Sequence, residues 1–129
     1  MTSVCTGTFI LGAAGFTKGR RATTHWAFHH LLPQIGVTPE KARVVTDGNL
    51  ISGGGVTAGI DFGLTLVAAL TSETVAKAVQ LGVEYDPDPP FDSGSPDRAP
   101  PALTTGVTTR FQDDVKAMAD SLAPPTADQ

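Results

Sequence analysis

The sequence predicts an α/β fold built on a doubly wound parallel sheet, and three stretches carry that prediction. Near the N-terminus a short β-prone run, Thr2 to Val4, leads through Cys5, Thr6 and Gly7 into an apolar helical segment, Thr8 to Ala14. Strand, one reactive residue, glycine and helix is the layout of a nucleophile elbow, whose sharp turn exposes one side chain above a sheet edge. Further on, Ala42-Arg43-Val44-Val45 and Leu50-Ile51-Ser52 flank Thr46-Asp47-Gly48-Asn49. Asp-Gly between apolar runs signals a hairpin. Behind Gly53-Gly54-Gly55 the strongest helical pattern runs from Thr57 or Ala58 to Leu70. Its Ile60, Phe62, Leu64, Leu66, Val67 and Leu70 cover most of its circumference, so it is expected to be buried.

The other elements follow in order. Gly15-Phe16-Thr17-Lys18-Gly19 is a turn bounded by glycines, with Gly15 placed to close the first helix. Arg21 to Thr24 is a short strand candidate. His25 to Leu32 reads as a brief helix with Trp26, Phe28, Leu31 and Leu32 facing a core, ended by Pro33. Ser72 to about Tyr85 is a second long helix, capped by Thr71 or Ser72. Composition then shifts: residues 86–101 hold Pro87, Pro89, Pro90, Pro96, Pro100 and Pro101, which makes an extended arm. Val107, Phe111, Val115, Met118 and Leu122 recur every three to four residues, an amphipathic helix within 102–123. Pro124 and Pro125 end it, and 124–129 is expected to be a disordered tail.

Composition bounds the function. A chain of 129 residues makes one domain at most, and 40% hydrophobic residues make it globular. The net charge of −4, with no basic cluster beyond Lys18, Arg20 and Arg21, argues against a nucleic-acid surface. A single cysteine cannot form an internal disulfide, which fits a reducing cytoplasm. No apolar run reaches membrane-spanning length and no signal peptide is visible, so a cytoplasmic protein with no membrane partner is expected.

The ordered motifs Ser3-Val4-Cys5-Thr6-Gly7, Ala22-Thr23-Thr24-His25-Trp26, Asp47-Gly48-Asn49-Leu50 and Gly54-Gly55-Val56-Thr57-Ala58-Gly59-Ile60-Asp61-Phe62 together resemble the DJ-1/PfpI superfamily. The resemblance covers roughly Thr2 to Pro100, and within the superfamily it is closest to the isocyanide (isonitrile) hydratases. Residues 53–62 and 79–96 point to that subfamily, as does Thr6 after the cysteine, where protease-like members carry histidine. The resemblance implies a flavodoxin-like (class I glutamine amidotransferase-like) sandwich, assembled as a homodimer, that hydrates a small-molecule isocyanide to an N-formamide. It implies no metal and no cofactor.

By motif match, Cys5 is the expected nucleophile and Thr6 the neighbour that helps bind and orient. Gly7, Gly54, Gly55 and His25 are the expected substrate-binding or active-site loop residues. In that chemistry a thiolate attacks the isocyanide carbon to give a thioimidate, and water releases the formamide. The following helix would aim its N–H groups at the sulfur. The superfamily places its first strands and helices, with a carboxylate that serves the cysteine, ahead of the elbow. Every Asp and Glu here follows Cys5, and none matches that acid. Residues 1–100 are therefore expected to be the C-terminal portion of such a domain, truncated before its elbow. Such a portion is expected to be marginally stable and prone to assemble.

Two other roles fit the same resemblance: a non-catalytic sensory domain of AraC-type transcription regulators, and a stress or redox protein acting through Cys5. Among the remaining features, His25 and His29 stand four apart with His30 adjacent, a spacing that suits a zinc pair, but no third ligand supports it. A pairing of His25 with Cys5 competes with a packing or hydrogen-bonding role for that ring. Gly53-Gly54-Gly55 reads as a close-approach loop, since the lysine and spacing of a phosphate loop are absent. Asp61 is expected to complement the dipole of the helix that it begins.

Overall fold

The computed structural model describes residues 1–123; the tail expected over 124–129 lies outside the described residues. Strand β1 (Thr2–Val4) leads through Cys5 into helix α1 (Gly7–Ala13), the strand-to-helix turn read from the sequence. Gly15 adopts φ 79°, and its amide bonds back to Gly12 while that of Phe16 bonds to Leu11. That pair of reverse bonds closes α1 in the way only a left-handed residue allows, and glycine takes that conformation without steric cost.

Strands β2 (Arg21–Ala22) and β3 (Thr38–Pro39) pair in parallel as a two-stranded ribbon. Strands β4 (Val44–Asp47) and β5 (Leu50–Gly53) form the expected hairpin around Gly48 and Asn49, with Asp47 opposite Leu50 and Gly48 at φ 59°. β1 runs parallel to β5, setting Ser3 opposite Ser52 and Val4 opposite Gly53. The sheet order is β1-β5-β4, which makes β5 the central strand; all four of its residues are buried.

Several expectations need correction. The strand expected over 21–24 stops at Ala22, because Thr23 and Thr24 leave the ladder to make side-chain bonds described below. β3 was not expected; two residues, one of them proline, carry no strand pattern. The segment from Trp26 runs through Pro33 to Ile35 as a 3₁₀ helix rather than ending at the proline. Its bonds reach back three residues, as from Phe28 to the His25 carbonyl, so Pro33 removes one donor without stopping the winding. Gly36, at φ 71°, ends it.

Helix α2 (Ala58–Leu70) begins and ends where expected, but only Ala58 is buried, and Leu70 is 75% exposed. It packs on β5 and on α3 (Glu73–Gly82), leaving its outer side uncovered by the described residues. Ser72 caps α3, its hydroxyl accepting the Val75 amide. The single amphipathic helix expected over 107–122 is two helices, α4 (Pro101–Arg110) and α5 (Gln112–Leu122), broken at Phe111. Proline at the first turn starts α4 earlier than the apolar stripe suggests. Phe111 breaks the helix while its ring packs among His25, Trp26 and Phe28.

The core gathers Phe9, Ala22, Phe28, Leu31, Leu32, Val37 and Leu50 between α1, the 3₁₀ segment and the strands. A buried polar line crosses it. The Thr8 hydroxyl donates to the Thr23 carbonyl at 2.9 Å, so the Ser3 hydroxyl, 2.9 Å from Thr8, is the donor of that pair. The Thr23 amide then donates to Ser52 Oγ at 3.0 Å. Each such bond contributes about 1 kcal/mol when made, and leaving a buried partner unpaired costs more. The line therefore ties α1 to β1, to the residue that follows β2 and to β5.

Candidate active site

Cys5 sits on the turn between β1 and α1 with φ 57°, one of two non-glycine residues at positive φ among those described. In that region a Cβ crowds the following carbonyl, and the conformation costs about 1–2 kcal/mol. It holds because three hydrogen bonds determine it. The Cys5 amide is shared between the carbonyls of Gly53 (3.0 Å) and Gly54 (2.8 Å), and its own carbonyl accepts the Thr24 hydroxyl at 2.7 Å. The residue is half-buried. Backbone strain at one partly exposed thiol, over-determined by its surroundings, is the arrangement a reactive residue needs.

Thr6 occupies the cap position of α1 without making a side-chain capping bond, so its hydroxyl is not spent on the helix. Gly7 begins the helix, and a Cβ there would meet only Ser3 Cβ at 3.9 Å, an ordinary contact. The Gly54 amide donates to the Arg43 carbonyl at 2.9 Å. Gly55 lies against His25, where a Cβ would stand 3.0 Å from His25 Cδ2. Cys5, Gly54, Gly55 and His25 thus come together around the loop that follows β5.

The His25 ring is packed among aromatic residues and bonded to the backbone. Its Nδ1 accepts the Ala27 amide at 3.3 Å, which leaves the proton of the neutral ring on Nε2. The ring packs on Phe111 with centroids 5.1 Å apart, and on Trp26 and Phe28. Burial lowers its pKa below the ordinary 6.5. Among the described residues no hydrogen bond links it to Cys5. Among the described residues, no group of three or more His, Cys, Asp and Glu is placed to hold a metal.

Sequence reasoning missed two features. The first is Thr24, whose side chain ties the elbow to the 3₁₀ segment. The second is a polar cluster at the start of α2. The Asp61 carboxylate pairs with Arg43 and accepts the Tyr85 hydroxyl at 3.1 Å. Arg43 also donates to the Thr57 carbonyl (2.9 Å) and hydroxyl (3.3 Å). The hydrogen bond to Asp61 raises the pKa of Arg43 further above its already high value. Asp61 is in the first turn of α2 as expected, but specific partners engage it.

Beside the Gly54-Gly55 loop opens a cleft of about 490 Å³, with Thr24, Trp26, His29, Lys41 and Arg43 on its walls and part of the proline-rich arm, Gly94 to Arg98, closing one side. That volume is typical of small-molecule sites. The arm itself has no regular structure until α4 begins. No helix among the described residues is long and apolar enough to cross a membrane.

Comparison with known proteins accords with this geometry. Residues 1–69 match the sequence profile of the DJ-1/PfpI family. The chain is 58% identical over 116 residues to an isonitrile hydratase of Pseudomonas putida, covering 90% of this chain and 51% of that protein. It is 45% identical over 84 residues to the HTH-type transcriptional regulator CdhR of Pseudomonas aeruginosa, covering 62% of this chain and 24% of the regulator. A crystal structure of a ThiJ/PfpI family protein from Pseudomonas syringae superposes with a TM-score of 0.89 at 50% identity, over 94% of this chain and 50% of that one. The chain spans about half the length of the hydratase that it matches, and less of the regulator.

Proposed function

The chain belongs to the DJ-1/PfpI family and has its flavodoxin-like α/β fold, and from that premise we propose that it is an isocyanide hydratase-like protein with Cys5 as its nucleophile. The observation that carries the reading is the strained elbow: one thiol, held at φ 57° by the Gly53 and Gly54 carbonyls, at the head of a helix. The identity to an isonitrile hydratase supports the choice of substrate class.

In this reading the Cys5 sulfur forms a bond to the terminal carbon of the isocyanide. The thiol proton ends on that same carbon, so a thioimidate results. Water then adds to the carbon and the carbon–sulfur bond breaks. The formamide leaves, and Cys5 regains its proton. The Thr6 hydroxyl, free of capping, orients the bound nitrogen or the incoming water. Splitting one addition into two steps through a covalent intermediate is what a positioned thiol offers. A homodimer belongs to the same proposal.

The test is to incubate the chain with a simple alkyl isocyanide and follow formamide by NMR, with Cys5→Ala as control. Formamide from the unaltered chain alone supports the reading; equal signals from both remove Cys5 from the mechanism. A second reading, a ligand-sensing domain without turnover, is favoured by the similarity to the regulator. It predicts saturable isocyanide binding, unconsumed, by both proteins.

A further inference from the structure

We infer that Arg43, Asp61 and Tyr85 form a clamp that positions Cys5, acting through the loop after β5; this rests on the reading of Cys5 as the reacting thiol. The two non-glycine residues at positive φ among the described residues are Cys5 and Glu84, at 57° and 51°. They stand at the two ends of one hydrogen-bonded line.

At one end, α3 closes with Glu84 where glycine is usual. The Glu84 amide bonds to Leu81 and the Tyr85 amide to Gln80, the double reverse bond of a left-handed helix stop. A side chain held there is strained unless its surroundings fix it. The stop turns Tyr85 back onto α2, where its hydroxyl donates to Asp61 Oδ1 at 3.1 Å. The Gln80 side chain also donates to the Tyr85 carbonyl at 3.1 Å.

Asp61 in turn holds the Arg43 guanidinium. Residue 43 then straddles the loop. Its carbonyl accepts the Gly54 amide, while its guanidinium donates to the carbonyl and hydroxyl of Thr57. Both ends of residues 54–57 are thereby fixed to one residue. The carbonyls of Gly53 and Gly54, at the start of that stretch, are the two acceptors of the Cys5 amide. Gly53 has little room to shift, since a Cβ there would meet Phe62 at 3.3 Å and Val4 at 3.4 Å. The planar, forked guanidinium suits a residue that must face a carboxylate and a carbonyl at once. Tyr85 lies beyond the stretch matched by the family profile, so the clamp joins the family's elbow to the segment after α3.

None of the three residues touches the sulfur, so they are positioning residues. Their removal loosens the Cys5 backbone without removing a reacting group. The test uses the full chain with Tyr85→Phe and Asp61→Asn, reading amide hydrogen exchange at Cys5 and Gly54 by NMR, with Phe28 and the thermal midpoint as controls. One hydrogen bond of ordinary strength corresponds to about fivefold in a local opening equilibrium. Tyr85→Phe is expected to speed exchange at Cys5 and Gly54 by about that factor, Asp61→Asn by more, with Phe28 exchange unchanged and the Tyr85→Phe midpoint lowered by no more than a few degrees. In an alkyl isocyanide assay kcat falls and KM holds. Where Asp61→Asn fails to fold, Tyr85→Phe decides. Exchange at Cys5 and Gly54 that rises no more than at Phe28 overturns the clamp. A wild-type chain that consumes no isocyanide overturns the catalytic reading instead, and the exchange data still judge the clamp.

Discussion

Replacing Cys5 by glycine is expected to stabilise the protein relative to replacing it by alanine, the reverse of the usual order. Both variants lose the thiol and its packing, so their difference isolates the backbone at φ 57°. A Cβ at that angle costs about 1–2 kcal/mol, which the alanine variant keeps and the glycine variant sheds. Against this, glycine gives the unfolded chain more freedom, worth about 0.4–1 kcal/mol. The balance favours the glycine variant by about 0.5–1 kcal/mol, whereas at an ordinary helical or strand position it would trail alanine by a similar amount. The assay is urea denaturation of both variants at pH 7, followed by circular dichroism, with slopes compared to confirm that the unfolded states match. For a chain of this size the same difference appears as a rise of a few degrees in the thermal midpoint. A glycine variant less stable than the alanine variant by about 0.5 kcal/mol or more would show that no strain is stored at the elbow.

Other substitutions test the neighbouring contacts. Glu84→Gly relieves the same strain at the end of α3 and is expected to gain about 0.5–1 kcal/mol in a denaturation series; a loss would show that the Glu84 conformation is not strained. Gly12→Ala would set a Cβ 2.6 Å from Ile35 Cδ1 and 2.7 Å from its Cβ, and the Cβ cannot swing aside. Overpacking of about 1–3 kcal/mol outweighs the helix gain, so a net loss of roughly 1–2 kcal/mol is expected, and a neutral result would refute the close packing of α1 on the 3₁₀ segment. Thr24→Val leaves the Cys5 carbonyl without its hydroxyl donor and is expected to cost about 1–2 kcal/mol, with Thr24→Ser recovering most of it; equal stability of Val and Thr would show the bond to be idle. His25 has its pKa lowered by burial. As pH falls below 6.5 the unfolded chain takes up the proton first, so stability present above that pH is lost on the way down to the depressed value. Protonation also removes the Nδ1 acceptor of the Ala27 amide. His25→Asn, which keeps a cap acceptor and cannot titrate, is expected to flatten the decline in midpoint between about pH 7 and 5; parallel declines would refute this.

What could be read from the sequence was what short-range chemistry decides. The elbow, the hairpin around Gly48, the Gly15 stop and the Ser72 cap each depend on neighbours within a few residues, and all four lie where their residues place them. Features set by distant partners were missed or misjudged. Thr38-Pro39 is a strand only because Arg21-Ala22 offers a ladder. The apolar circumference of α2 promised burial, but burial depends on what packs against it, and although β5, β4, β1 and α3 pack on it, Leu70 stays exposed. Phe111 fits an unbroken stripe, yet it breaks the helix while packing into the cage around His25, for which its neighbours carry no local sign. The candidate site divides the same way. Cys5, Thr6, Gly54, Gly55 and His25 sit in contiguous motifs. The partners of Asp61 lie 18 and 24 residues away, so spacing shows it only at the start of a helix.

The groups that hold Cys5 are mostly main-chain: one carbonyl from the end of β5, one from the loop after it, and the elbow's own amide. Substituting the loop glycines alters their packing but does not delete those acceptors. The side chains that govern the geometry are those of Thr24, Arg43, Asp61 and Tyr85. Of these, Thr24 reaches the elbow directly, whereas the others act by fixing where the loop lies. Two chains with identical elbow motifs would therefore differ in reactivity if the clamp around residue 43 differed. A motif match at residues 3–7 locates the thiol, but the groups that hold its backbone come from residues 24, 53 and 54.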